Sequence, residues 1–303
     1  MRFRSATSGD EKRPGAYGTR ARARVARMAL VACAIIPALA ACAHGGVHVQ
    51  PTGPDAGLRI VQIPLRLSDA YLVRGPGGRT ILIDPGSATR RDSARLARTL
   101  AAEGLGFRDL ALIVLTHGHA DHSGGAAVAR RASGAMVVAG RGDSVMLANG
   151  RNDALHAMGM EAHMIRLILP GRYPPVHPDL WIARTPRDSG STDPDSLDLR
   201  PYGIPGRIVR TPGHTPGSIA VLLDTGDAIA GDLLRGGLLG GRIAPHHAAV
   251  HYFHADRAAA GAQICALLAR GVTRFYVGHG GPLDRASVEH RFGRSCAAPP
   301  AAR

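Results

Sequence analysis

The run Thr116-His117-Gly118-His119-Ala120-Asp121-His122 places three imidazoles and a carboxylate within six consecutive positions. Neutral imidazole and carboxylate are good ligands for zinc. Histidines at i and i+2 point to one side of an extended segment, and Asp121 and His122 turn toward the same space where a helix begins. A histidine-rich surface loop is the competing reading. Three later positions weigh against it. His214 in "TPGHTPGS", Asp232 in "IAGDLL" and His279 in "FYVGHGG" share one context, a short apolar run that ends beside glycine. Glycine there lets the backbone turn tightly and present the next side chain at a sheet edge.

The elements that must carry these residues are readable. "LRIVQIPLRL", "AYLV" and "RTILIDPG" within residues 58–84 alternate or run apolar, as strands do. Residues 92–103 predict a helix capped by Asp92 or Ser93. Residues 109–116 predict a buried strand, residues 123–133 a helix, and "AMVVAG" another strand. Residues 141–206 are irregular and rich in proline, with a helix expected at the start of "LHAMGMEAHMIRLILP". Strands return at "GRIVRT", "SIAVLLD" and "DAIAGD"; a helix over 255–270, the strand "RFYVG" and a helix near 284–292 follow. Two groups of strands, each followed by helices, predict one mixed α/β domain over 58–295 with a tail at 296–303.

Composition narrows the chemistry. Of 303 residues 45% are hydrophobic and 20% charged, a globular balance. The net charge of +14 is uneven, with eight basic and two acidic positions in residues 1–41. The single lysine, Lys12, falls in that stretch, so the folded part has no lysine for Schiff-base, pyridoxal or P-loop chemistry. The arginines are scattered and aromatics make up only 4%, so no nucleic-acid partner is expected. No protein partner is readable either.

Residues 1–41 have the layout of a secretory leader, a basic stretch followed by the apolar run Met28 to Ala41. That run is too short to span a bilayer, which takes roughly 20 residues. Its end, Leu39-Ala40-Ala41-Cys42, resembles the lipobox of bacterial lipoproteins. The resemblance implies a chain that begins at lipidated Cys42, is anchored in the cell envelope on the extracytoplasmic side, and continues through a tether over 42–57. Of the later cysteines, Cys265 is expected buried and free, with Cys296 in the tail; a pairing of the two outside the cytoplasm is the alternative.

Together "ILIDPG", "THGHADHSGG", "TPGHTPGS", "AGD" and "GHG" resemble, in order, the motifs of the metallo-β-lactamase-fold hydrolases, in particular the branch similar to glyoxalase II. The resemblance covers residues 58–290. It implies a four-layer αβ/βα sandwich of two mixed β-sheets flanked by helices, with two divalent metal ions, Zn2+ by expectation, at one edge. By position, His117, His119 and His214 hold the first metal; Asp121, His122 and His279 hold the second; Asp232 bridges both. Such a pair, about 3.5–4 Å apart, supplies a bridging hydroxide that attacks a carbonyl carbon. Asp121 is the implied proton shuttle, and Asp84 the implied support of a metal ligand; a turn aspartate before Pro85 is the alternative for Asp84.

The resemblance implies hydrolysis of an ester, thioester or lactone in a small-molecule substrate. A β-lactamase of the same fold is one alternative; Asp232 disfavours it, because family β-lactamases usually lack that bridge. A mononuclear iron persulfide dioxygenase is another, and the complete second ligand set disfavours it. Glutathione thioesters are not expected, since 24 residues follow His279 where glyoxalase II has a helical region that binds glutathione. The crowd His246, His247, His251 and His254 reads as a loop bordering the site, with a substrate-facing role for some of them as one alternative and an additional metal as a weaker one. Tyr202 and Tyr252 read as packing residues rather than donors to a substrate. Met158, Met160 and Met164 read as one face of a core helix, with a lid over the substrate as the alternative.

Overall fold

The computed structural model describes residues 47–49, 57–183 and 194–297. The leader and Cys42 lie outside them.

The first sheet opens with β1 (Val47–Val49), β2 (Arg59–Pro64), β3 (Asp69–Arg74) and β4 (Thr80–Ile83), each antiparallel to the next. Helix α1 (Arg90–Ala102) crosses to β5 (Leu110–Leu115), which is parallel to β4. Its N-cap is Thr89, whose hydroxyl accepts from Asp92 N, rather than Asp92 or Ser93. The single helix expected over 123–133 is split at Gly124-Gly125 into α2 (Ala120–Ser123) and α3 (Ala126–Ser133). Strand β6 (Met136–Gly140) extends the parallel run. Helices α4 (Ser144–Asn149) and α5 (Met160–Arg166) precede β7 (Leu180–Ile182), the last strand of this seven-stranded sheet.

The second sheet has six strands. β8 (Ser196–Asp198), β9 (Gly206–Arg210), β10 (Ile219–Leu223) and β11 (Asp227–Gly231) form its antiparallel part. A separate two-stranded ribbon follows, β12 (Arg235–Leu238) and β13 (Ile243–Ala249). Helix α6 (Arg257–Ala269) then leads to β14 (Arg274–Val277), parallel to β11, and β15 (Leu283–Asp284) and α7 (Arg285–Ala297) complete the fold.

Strand period two creates three apolar interfaces from these elements. Ile81, Ile83, Leu112 and Val114 point inward and meet Ile208, Ile219, Val221 and Ile229 of the facing sheet. Leu82, Ile113 and Val137 point outward onto Leu96 and Leu100 of α1 and Ala126 and Ala129 of α3. Ala228, Ala230, Phe275 and Val277 point outward from the second sheet onto Ile264 and Leu267 of α6 and Val288 and Phe292 of α7. The result is a four-layer αβ/βα sandwich. Each fully buried aliphatic side chain contributes about 1.5–3 kcal/mol, so the layering is dictated mainly by which residues alternate.

Five expectations are corrected. Residues 47–49 of the expected tether are an edge strand paired with β2. Cys296 lies in α7 rather than in a tail, and Cys265 is not free but disulfide-bonded to Cys296, joining α6 to α7. The core-helix reading of the methionines fails, because Met160 and Met164 are exposed on α5. That helix also starts later than expected, after Gly159. Among the described residues no helix is long and apolar enough to cross a membrane.

Candidate metal centre

Strands β4, β5, β9, β11 and β14 end at one edge of the sandwich. The next residues carry the candidate ligands: Asp84 after β4, His117 and His119 after β5, His214 beyond β9, Asp232 after β11 and His279 beyond β14. All seven candidate ligands are buried there. Glycines make this convergence sterically possible. A Cβ on Gly278 would collide with Asp232 Oδ1, and one on Gly231, which sits at φ +53°, would strike Thr116.

The donor atoms form two linked groups. The ligand nitrogens of His117, His119 and His214 lie within 4.8 Å of one another, as do those of His122 and His279 with an Asp121 oxygen. Asp232 stands between the groups. Its Oδ2 is 3.7 Å from His117 Nε2, 3.6 Å from His214 Nε2 and 3.3 Å from His279 Nε2, and its Oδ1 is 3.4 Å from His122 Nε2. Asp121 Oδ2 is 3.6 Å from His122 Nε2 and 3.7 Å from His279 Nε2. Separations of this size are those of atoms that share a cation with bonds of about 2.0–2.2 Å.

The far side of each ring settles which nitrogen is available. Thr116 Oγ1 donates to Asp84 Oδ2 at 2.6 Å, so at 3.1 Å it accepts from His117 Nδ1–H, leaving Nε2 bare. His122 Nδ1–H donates to Asp84 Oδ2 at 2.9 Å, and His214 Nδ1–H donates to the Phe253 carbonyl at 2.8 Å. His119 is reversed, with Nε2–H donating to Asp153 Oδ1 at 2.9 Å and Nδ1 facing His214 Nε2 at 3.0 Å. Two bare imidazole nitrogens 3.0 Å apart repel unless a cation joins them. His117 Nε2, His122 Nε2 and Asp232 Oδ1 are buried without hydrogen-bond partners, a costly arrangement unless a metal satisfies them. The residues present therefore fit two cations.

Asp84 supports the ligands of both groups and does so with strained backbone, at φ +52°. Asp143 holds the two loops together, accepting from Gly118 N, Thr215 Oγ1 and Gly217 N at 2.8, 2.7 and 2.8 Å. Burial pushes its carboxyl up, partly offset by those donors.

Electrostatics separate the two groups. Burial, reinforced by neighbouring imidazoles, holds His117 and His214 well below the usual imidazole value. Burial also opposes charge on His122 and His279, but Asp232 and Asp121 outweigh it and raise both. Burial alone would push the Asp232 carboxyl up; His122, His251 and His279 instead hold it well below the carboxylate range.

The structure thus brings together His117, His119, Asp121, His122, His214, Asp232, His279 and Asp84. Three contributors escaped the sequence reading: Asp143, Asp153 and His251. Asp143 and Asp153 had no motif to mark them. His251 was visible only as one of a crowd that resolves into unlike members. His246 and His247 are exposed on β13, not in a loop, whereas His251 and His254 are buried beside the centre. Tyr252 is a packing residue, donating to Glu161 Oε1 at 2.8 Å beneath the Arg235 guanidinium, and Tyr202 packs against the inter-sheet core.

A two-sheet sandwich carries paired histidine and aspartate clusters able to hold metal ions at one edge. The family model of the metallo-β-lactamase superfamily matches residues 63–279, and the chain belongs to that superfamily. No curated protein matches it. Solved structures share its fold. A metallo-β-lactamase family protein from Thermus thermophilus is 24% identical with a TM-score of 0.51, covering 80% of this chain and 78% of that one. A Cronobacter sakazakii metallo-β-lactamase with an HARLDQ motif is 21% identical with a TM-score of 0.50, covering 82% and 92%. The B3 metallo-β-lactamase BLEG-1 is 20% identical with a TM-score of 0.50, covering 82% and 98%.

Proposed function

We propose that this chain is a two-cation hydrolase of the glyoxalase II-like kind, cleaving an ester, thioester or lactone bond in a small molecule. The observation that carries this reading is Asp232, which stands between the two histidine groups, with Oδ2 within 3.7 Å of His117, His214 and His279 and Oδ1 3.4 Å from His122. His117, His119 and His214 would hold one cation, and Asp121, His122 and His279 the other. Zinc-like cations there supply ionised water near neutral pH and polarise a carbonyl oxygen. Asp121 Oδ1, free of the ligand contacts made by Oδ2, would hold the proton destined for the leaving group. Asp84, Asp153 and the Phe253 carbonyl keep the imidazoles in the required tautomers. A cavity of about 260 Å³ lined by Arg235, His251, Tyr252 and Arg257 adjoins the centre and is the proposed route for substrate.

The test is a hydrolysis panel of lactones, thioesters, aryl esters and a carbapenem, run with bound metal quantified. Two zinc-like ions per chain and turnover of a lactone or ester are expected. His119→Ala should abolish that turnover while the chain still folds; retained activity would remove this ligand assignment. Preference for the carbapenem would make the chain a β-lactamase, and one iron with oxygen consumed on persulfide addition would make it a dioxygenase.

We further propose that the protein is exported and lipid-anchored through Cys42. The Cys265–Cys296 disulfide supports this, since such bonds persist in oxidising compartments. Cys42→Ser should move the protein from the membrane fraction to the soluble one; unchanged fractionation would count against the anchor.

A further inference from the structure

His251 follows the β12–β13 ribbon, far in sequence from every motif residue, yet its ring is 2% exposed at the heart of the centre. It stacks on His279 with centroids 5.3 Å apart and meets His214 edge-on at 4.6 Å. Its Nε2 lies 3.0 Å from Asp232 Oδ2. The approach is not aligned for a hydrogen bond, and Nε2 is buried with no hydrogen-bond partner. Nδ1 lies 3.2 Å from the Phe253 carbonyl and 3.3 Å from the Phe253 N–H, so both backbone groups of Phe253 meet this nitrogen. A buried ring nitrogen 3.0 Å from a carboxylate oxygen yet without a hydrogen-bond partner is satisfied when both atoms share a cation. The donor atoms of His214, Asp232 and His251 all lie within 4.8 Å of one another.

We propose that His251 is an eighth protein ligand, donating Nε2 to the cation held by His117, His119 and His214. This inference rests on the two-cation reading above. With Asp232, that cation would then have five protein donors, one more than the four of an ordinary structural zinc site. The same ring lines the adjoining cavity, so a substrate entering there meets His251 before the cation.

The experiment titrates Zn2+ into metal-free full-length protein against a competing chelator and records visible spectra of the Co2+ forms. The proteins are wild type, His251→Ala, His251→Gln and His254→Ala. His254 is the control, a buried histidine with its ring centroid 6.0 Å from that of His251 and no place in the ligand set. Two sites are expected in wild type. Both His251 variants should bind one of the two ions about 10- to 100-fold more weakly, with a changed Co2+ spectrum, at least the loss seen when a ligand's supporting residue is removed. His254→Ala should match wild type. Thermal melts of the metal-free proteins identify any misfolded variant, and the glutamine form decides if the alanine form unfolds. Unchanged affinities and spectra in the His251 variants would overturn the proposal, as would an equal loss in His254→Ala, which would mark the effect as packing. A wild-type protein that binds no Zn2+ would instead overturn the two-cation reading itself.

Discussion

Asp232→Asn is expected to lower turnover about 10³-fold or more and to leave the chain binding one cation in place of two. The magnitude follows from what the carboxylate does. Loss of a single electrostatic contact to developing charge already costs about 10²–10³ in rate. Asp232 is also the residue whose oxygens reach His117 and His214 of one group and His122 and His279 of the other. Asparagine keeps its shape but has one acceptor and no charge, so it cannot neutralise two cations held in a site with almost no water. Circular dichroism should be unchanged, and metal content measured by elemental analysis should fall toward one per chain. A variant that keeps two cations and wild-type turnover would remove the bridge from the mechanism.

Acidification is expected to release the two cations in order, the one at Asp121, His122 and His279 first. The sign follows from the histidines. Metal binding requires neutral imidazole and so competes with protons. His117 and His214 are held well below 6.5 by burial, so in the metal-free protein they carry no proton for a cation to displace near neutrality. His122 and His279 are raised above 6.5 by Asp232 and Asp121 despite their burial, so each must lose a proton before it can bind. Below those raised values, displacing two protons weakens binding by up to about 100-fold per pH unit, while His117 and His214 add no such proton competition over that range. Dialysis over a pH series followed by metal analysis should show two ions at about pH 8 and a plateau near one in mildly acid buffer. Simultaneous release, or loss from the first group ahead of the second, would contradict this.

Much of the centre was legible in the chain because its ligands obey local rules. An apolar strand that ends beside glycine and a histidine or aspartate declares both the strand and the exit of a side chain at its end, as at His214, Asp232 and His279, and with the two other motif stretches these resemble the family pattern in order. The residues that hold those ligands obey no such rule. Asp153 reaches His119 from 34 positions away, and Asp143 ties Gly118 to Thr215 and Gly217 across the two halves. The methionine stripe on α5 had helical spacing but no partner surface, so periodicity alone misplaced it in the core.

The amino-acid order by itself marked the strands, the turn glycines and seven candidate ligands, because each depends on neighbours a few residues apart. Only the tertiary structure decided which of four clustered histidines enters the centre, that Cys265 pairs with Cys296, and which nitrogen each imidazole presents. Those outcomes depend on distances between segments remote in the chain, which no local pattern encodes.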